Sequence, residues 1–525
     1  MSGILAESCR PVKSWSGEKL VRAKKWYHIL AMDLSLKDNF QDAVVTVIGL
    51  GKYEHSGGFD TVKWLLSHGA QVVITDLKDN QAMRESVDGL MHWFDQYQAA
   101  HSSKTLYPPV FALGEHRSDD FTQVDCVIQS PGVPSERSYQ KLALENDIAL
   151  ESDVSLFFRY YPQPIIAVTG TRGKTTVSLA LQQMLTGIHP TSLLVGNIKT
   201  PPLSVLDDLI ARNSAQPVVI ELSSWLLESL PRAFLDLGKG PEISILTNIY
   251  PDHLKLYPDI ESYTRSKEII IGFQQPDQWA VMNYDQPAVR ALESRATGKI
   301  CWFSKTAELA IASSTASKAA NSASCFVRAG EIIFTRAGEE WNLGSVDSVA
   351  LKGESNLENL LAATAAAMLR GAPVESITRT LKEFVGLPDH QEVIREVREI
   401  SFVNDTAATS LVATISAVDK FASLDHLILI FQGTSDLASQ VKKLNWSQQL
   451  KLVIILTSSA TPEVMSALNG VVRVAQVPDL AAAVALAAVQ ARSGDTVLYS
   501  PGAPAKEGET AFDRGEVYRE EVRKL

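Results

Sequence analysis

The chain is a succession of short apolar runs, each closed by a Gly- or Pro-containing turn and followed by a stretch with helical spacing. From Val44 the residues VVTVIG form one such run, a Gly-rich stretch follows, residues 58 to 69 carry helical periodicity, and VVITD closes a second run. Runs of that length without alternation mark strands buried on both faces, as in parallel sheets covered by helices. VFALG (110–114) and VDCVIQS (124–130) continue the series, which ends near Tyr161. The turn YPQP (161–164) is a boundary, and IIAVTG beyond it opens a second α/β series containing the strands VVIELS and ISILTNI. A Ser/Ala-rich stretch from about 306 to 324 reads as a surface insertion, and Asn356 to Leu369 has the apolar spacing of a helix. After GLPDHQE (386–392) a third series runs through SFVND, HLILIFQ, LKLVIILT, VVRVAQV and TVLYSP. The pattern predicts an α/β protein of three domains behind an extension: 1–42 extension, 43–161 Rossmann-like, 162–387 central α/β, and 388–525 Rossmann-like α/β.

Composition agrees with that picture and removes some functions from it. A chain of 525 residues exceeds what one core supports, and 45% hydrophobic with 21% charged residues is ordinary for globular domains. A formal net charge of -11 speaks against a nucleic-acid surface. Cys9, Cys126, Cys301 and Cys325 have no metal-ligand spacing and read as reduced thiols. No secretory leader and no apolar run of about 18 residues is present, so a cytoplasmic protein without membrane insertion is expected, as a monomer.

The strongest chemical signal is TGTRGKTT, Thr169 to Thr176, between an apolar strand and a helix. In that context the backbone N–H groups of Gly170, Thr171, Arg172 and Gly173 would cradle phosphate, with Lys174 neutralising its charge. The Thr175 hydroxyl would ligate Mg²⁺, and Thr176 continues the first helical turn. The central domain is therefore expected to be of the P-loop ATPase type, although Val168 stands where the GxxxxGK[ST] pattern has its first Gly. Glu221 ends a buried strand, and Asp252 and His253 follow another. Carboxyl ends of strands in an open α/β sheet converge on the crevice beside such a loop, where a carboxylate can hold Mg²⁺. In the first domain GLGKYEHSGG is not a clean GxGxxG, which leaves a nicotinamide dinucleotide the weaker reading there.

The ordered series GTRGKTT, GNIKTP, ELSSW, TNIYPDHL, the Lys of YTRSKEIII, MNYD, NLEN, GLP and FVNDTAAT resembles the Mur ligase family over about residues 44–525. The resemblance implies an ADP-forming ligase that uses ATP and Mg²⁺ to activate a UDP-linked muramoyl substrate as an acyl phosphate. An amino acid, with D-glutamate the first expectation, then displaces the phosphate. It implies a UDP-binding first domain, with Gly49, Leu50, Gly51, Asp76, Ser130 and Gly132 at the UDP moiety, and Asn197 near the diphosphate and sugar. Lys174, His253 and Lys267 would be the catalytic set, with Thr175, Glu221, His253 and a carbamylated Lys267 around the metals. Asn283 would meet adenine and Asp405 the ribose. Several positions depart from the family: Asp389 and His390 for HR, Ala407 for a lysine, Asp436 for a lysine, and Ala505 for a serine. Asp389 and His390 remove an arginine expected at the ATP phosphates, and Ala407 and Asp436 predict a weakened grip on an acidic amino acid unless Lys442, Lys443 or Lys506 substitutes. They also keep open a different acceptor or a catalytically weak nucleotide-binding subunit.

Overall fold

Parallel strands that are apolar on both faces need helices above and below, and the chain supplies them in alternation. The structure, a computed structural model, describes residues 40–51, 57–130, 137–197, 200–212, 216–251, 256–306, 323–387, 389–421, 426–433, 437, 446–458, 461–505 and 511–525. Most of the extension, the 307–322 stretch, and Gly132, Asp252, His253, Asp436, Lys442, Lys443 and Lys506 lie outside the described residues.

The first sheet holds β1 (Val44–Ile48), β2 (Gln71–Asp76), β3 (Val110–Leu113), β4 (Cys126–Gln129) and β5 (Ala149–Ser152) in the order β3-β2-β1-β4-β5. Every pairing is parallel, with α1 (Gly57–Ser67) following β1 and α2 (Asp153–Tyr160) following β5. The central sheet runs from β6 (Ile165–Thr169) through β7 (Leu193–Gly196), β8 (Val218–Glu221), β9 (Ile243–Leu246), β10 (Trp279–Asn283) and β11 (Lys299–Ser304) to β12 (Ala323–Arg328), β13 (Glu331–Arg336) and β14 (Glu339–Ser345). Its order is β14-β13-β12-β11-β10-β9-β6-β8-β7. Four of its helices matter below: α3 (Lys174–Leu185), α4 (Leu203–Arg212), α5 (Ile260–Gly272) and α6 (Glu354–Arg370).

The antiparallel β12–β14 meander has no counterpart in the sequence expectation. Its two hairpins turn on Ala329-Gly330 and Ala337-Gly338, all four at positive φ, the geometry of two-residue turns that match strand twist. An Ala at the first turn position hides that signal, because positive φ is the province of Gly and Asn.

The expected boundary at Tyr161 separates two sheets but not two cores. Val45 and Val47 of β1, Leu203 and Leu206 of α4, and Val218 and Ile220 of β8 belong to one apolar cluster. Its seam carries Trp64, whose Nε1 donates to Asp207 at 2.9 Å, and Arg159, which bridges Glu151 and Asp236 at 2.9 and 2.8 Å. The chain accordingly divides into two compact units, one to Phe384 and one from Val385 to Leu525.

The second unit is a six-stranded sheet of β15 (Glu392–Val397), β16 (Ile400–Asn404), β17 (Leu427–Phe431), β18 (Leu452–Leu456), β19 (Val474–Val477) and β20 (Thr496–Tyr499), closed by α7 (Ala511–Arg523). The order is β15-β16-β20-β17-β18-β19, parallel except for edge strand β15. Cores lie on both faces of the sheet, one around Val403, Leu429 and Val453, the other around Phe402, Ile430 and Tyr518. Among the described residues no helix is long and apolar enough to cross a membrane.

Candidate functional site

β6 sits between β8 and β9, so the chain order reverses around it and its carboxyl end opens a crevice. Residues 170–173 turn there into α3. Gly170 has φ 149 and Gly173 φ 83, and a Cβ on Gly170 would meet the Thr247 hydroxyl at 1.9 Å. Neither position tolerates a side chain, which is why glycine stands at both.

The loop is clamped from β9. Asn248 accepts from the Arg172 N–H through Oδ1 at 2.8 Å and donates to the Arg172 carbonyl through Nδ2 at 3.0 Å. Thr247 donates to that same carbonyl at 2.8 Å, and the Asn248 carbonyl accepts from the Thr171 N–H at 2.9 Å. From the opposite side α6 closes the turn, since a Cβ on Gly173 would lie 2.1 Å from Asn359 Oδ1. Asn248 and Asn359 thus shape the loop. Both fall inside TNIYPDHL and NLEN, but nothing in their spacing alone assigns them that work.

Two amines converge on one carbonyl. Lys174 Nζ donates to Gly170 O and Thr171 O, each at 3.1 Å, and Lys267 Nζ donates to Gly170 O at 2.9 Å. Lys267 is 1% exposed on α5, with its amine 4.7 Å from the Tyr263 ring centroid. A buried lysine on an amphipathic helix is a departure from the ordinary surface role, and it faces the loop.

Glu221, the last residue of β8, is 1% exposed. Its Oε1 accepts from Asn197 Nδ2 at 3.3 Å, while Oε2 is buried without a hydrogen-bond partner. Burial pushes its carboxyl above the usual range, and the Lys174 charge, the Thr175 hydroxyl and the Asn197 amide pull it partway back. An orphaned carboxylate oxygen beside a threonine hydroxyl is a donor set of the kind hard cations take, so the residues fit Mg²⁺. Among the described residues no cluster of three or more His, Cys, Asp or Glu forms a metal cage. Asn197, expected at the substrate, is the partner of Glu221. Asn283 ends β10 buried, donating to Glu358 Oε2 at 3.4 Å and accepting from the Asp285 N–H at 3.0 Å.

The first sheet has a second crevice at its own reversal, between β1 and β4. Gly49 and Gly51 take φ 82 and 89, Leu50 is buried between them, and Ser130 Oγ donates to Gly49 O at 2.6 Å. Asp76 ends the neighbouring β2 and caps the Lys78 N–H at 3.0 Å. Gly49, Leu50, Gly51, Ser130 and Asp76 therefore share one rim.

In the second unit Asp405 follows β16 and accepts from Ser500 Oγ at 2.7 Å. Asp389 was expected to face ligand in place of a cation, and its environment is instead an interior one. It is 7% exposed, and its Oδ1 accepts from Arg519 Nη2 at 2.8 Å, Asn404 Nδ2 at 2.9 Å and Thr406 Oγ1 at 3.1 Å.

A strand, a glycine turn and a helix-borne lysine at a sheet reversal define the class of phosphate-loop α/β proteins. Residues 168–367 match the Mur ligase middle domain. A UDP-N-acetylmuramoylalanine--D-glutamate ligase of Roseiflexus sp. (strain RS-1) is 35% identical over 488 residues, covering 90% of this chain and 97% of that one. Proteins of the same name from Koribacter versatilis and Acidobacterium capsulatum are 28% and 29% identical, over 92% and 91% of this chain and 97% and 95% of theirs. The chain belongs to the Mur ligase family.

Proposed function

We propose that the chain is an ATP-dependent, ADP-forming ligase that joins D-glutamate to UDP-N-acetylmuramoyl-L-alanine in peptidoglycan precursor synthesis in the cytoplasm. The observation that carries the reading is the pairing of the Lys174 loop with the half-satisfied Glu221, in a chain that spans 97% of its D-glutamate-adding relative. A carboxylate is a poor acyl donor, so it must first become an acyl phosphate, which the amine of the amino acid then attacks with phosphate leaving. The N–H groups of Gly173 and Lys174 and the Lys174 amine meet the transferring phosphoryl group, while those of Thr171 and Arg172 are held by Asn248. Thr175 and Glu221 would hold Mg²⁺, His253 and a carbamylated Lys267 would be its further ligands, and the ion would neutralise phosphate charge. Asn283, braced by Glu358, takes the adenine, and Asp405 takes the ribose. Gly49, Leu50, Gly51, Asp76, Ser130 and Gly132 hold the uridine end of the substrate, with Asn197 toward its diphosphate.

The test is phosphate release from ATP with UDP-N-acetylmuramoyl-L-alanine and a panel of amino acids. Release that requires D-glutamate is expected. Release driven better by a neutral or basic amino acid would replace the acceptor, and no release with any amino acid would leave only a nucleotide-binding role.

A further inference from the structure

The reversal of strand order in the second unit falls at β20, which lies between β16 and β17, so ligand space is expected over the carboxyl ends of β16 and β20. The described parts of the loops there are residues 405–410, 432–433 and 500–505, and none of these described residues is Lys or Arg. Among the described residues a cation reaches these loops from α7. Arg514 of α7 donates through Nη2 to Thr406 O at 3.2 Å and through Nη1 to Ala503 O at 3.2 Å and Pro504 O at 3.4 Å. One guanidinium thereby ties the loop after β16 to the loop after β20.

Its charge is treated differently from that of an arginine five residues further along α7. Arg519 is matched by Asp389 at 2.8 Å, Glu392 at 2.8 Å and Glu516 at 2.5 Å. Arg514 is 4% exposed, pairs with no carboxylate among the described residues, and keeps Nε without a hydrogen-bond partner. Carbonyl dipoles solvate a buried guanidinium only in part, so an anion arriving above the loops gains from a charge that no described carboxylate neutralises. Phosphate already has its cations in the first unit, at Lys174 and the α3 N-terminus.

We propose that Arg514 is the specificity-determining residue for an acidic amino acid, holding the two loops that receive it and supplying the positive potential that Ala407 no longer can. The inference rests on the proposed ligase activity and on the second unit receiving the amino acid. The experiment compares wild type, Arg514→Met and Arg514→Lys in steady state with D-glutamate and its neutral analogue D-glutamine, at saturating ATP and UDP-substrate, alongside thermal melts. Damage to the loops alone would lower both substrates together, whereas loss of charge acts on D-glutamate. For Arg514→Met the ratio of kcat/KM for D-glutamate over D-glutamine should fall about tenfold or more, mainly through the KM for D-glutamate, with the KM for ATP little changed. Arg514→Lys should restore most of that ratio. An unchanged ratio in a folded Arg514→Met, or a loss that falls on the KM for ATP, overturns the proposal. If Arg514→Met does not melt cooperatively, Arg514→Lys decides: a ratio within about threefold of wild type supports the charge role, and a tenfold fall overturns it. A wild type that turns over neither amino acid overturns the ligase reading and this inference with it, while a normal wild type with an unmoved ratio overturns this inference alone.

Discussion

Glu221, at the end of a parallel strand, and Asp389, in the turn before the edge strand β15, are both buried carboxylates, and they are built in opposite ways. Asp389 Oδ1 receives a guanidinium, an amide and a hydroxyl, and Gly515 is pressed so close that a Cβ there would lie 1.7 Å from that oxygen. Glu221 receives one amide at 3.3 Å, with the Thr175 hydroxyl and the Lys174 charge nearby, and leaves Oε2 buried without a hydrogen-bond partner. Burying an unsatisfied charged oxygen is costly, so a fold that keeps one has a use for it, whereas a saturated carboxylate is already spent on structure. The same measure separates Arg514 from Arg519. Exposure alone would have ranked all four alike.

The comparison can be broken most forcefully at the loop. Lys174→Ala should cut ligation by about 10² to 10³ or more with an unchanged melting curve, because it removes the cation beside both phosphate and Glu221. Turnover within about tenfold of wild type in a folded variant would remove the loop from the chemistry. Lys267→Ala should be nearly inactive and partly restored by added small carboxylates. An intact-mass measurement without a carbamate on wild type, together with full activity of the alanine variant, would take Lys267 out of the site.

Glu221→Gln sharpens the contrast, since activity and stability should move in opposite directions. Ligation should fall by about 10² or more. The folded-state carboxyl of Glu221 is raised by burial, so the native state holds its proton more tightly than the unfolded chain does. That group is neutral and harmless below its unfolded value of about 4.3, and it lowers stability as pH rises from there through the folded value. At pH 8 without Mg²⁺ the glutamine variant should therefore withstand more urea than wild type, and an equal or lower midpoint would contradict an unsatisfied Glu221. The smallest effect belongs to the saturated partner. Asp389→Asn should destabilise the second unit by about 1–3 kcal/mol, since Arg519 keeps Glu392 and Glu516. Denaturant unfolding followed by a probe in that unit would measure it, and a gain in stability would show Asp389 to be a site rather than a clasp.

Much of the fold was legible because buried parallel strands are written as uninterrupted apolar runs. VVTVIG, IIAVTG, ISILTNI and HLILIFQ each lie on an observed strand, β1, β6, β9 and β17. The β12–β14 meander and the β15–β16 hairpin were not legible. Their turns use Ala329, Ala337, Arg398 and Glu399 at positive φ, where the sequence offers no Asn-Gly or Asp-Gly mark. In the site, TGTRGKTT could be read because the strand, the glycines and the lysine are contiguous. Asn248 and Asn359 could not, because their work lies across the crevice and not along the chain.

By itself the sequence determined the alternation of strand and helix, the phosphate loop with Lys174, and the acidic strand end at Glu221, since each is set by local periodicity or by adjacency. Tertiary structure alone decided that the first two sheets share one core, because which apolar faces meet depends on packing between distant segments. It also decided that Asn197 serves Glu221, that Lys267 is buried against Gly170, and that Asp389 is matched by Arg519 while Arg514 meets no carboxylate among the described residues. A side chain's residue type fixes its charge, but whether that charge is satisfied depends on partners brought near from elsewhere in the chain, and only the folded arrangement supplies them.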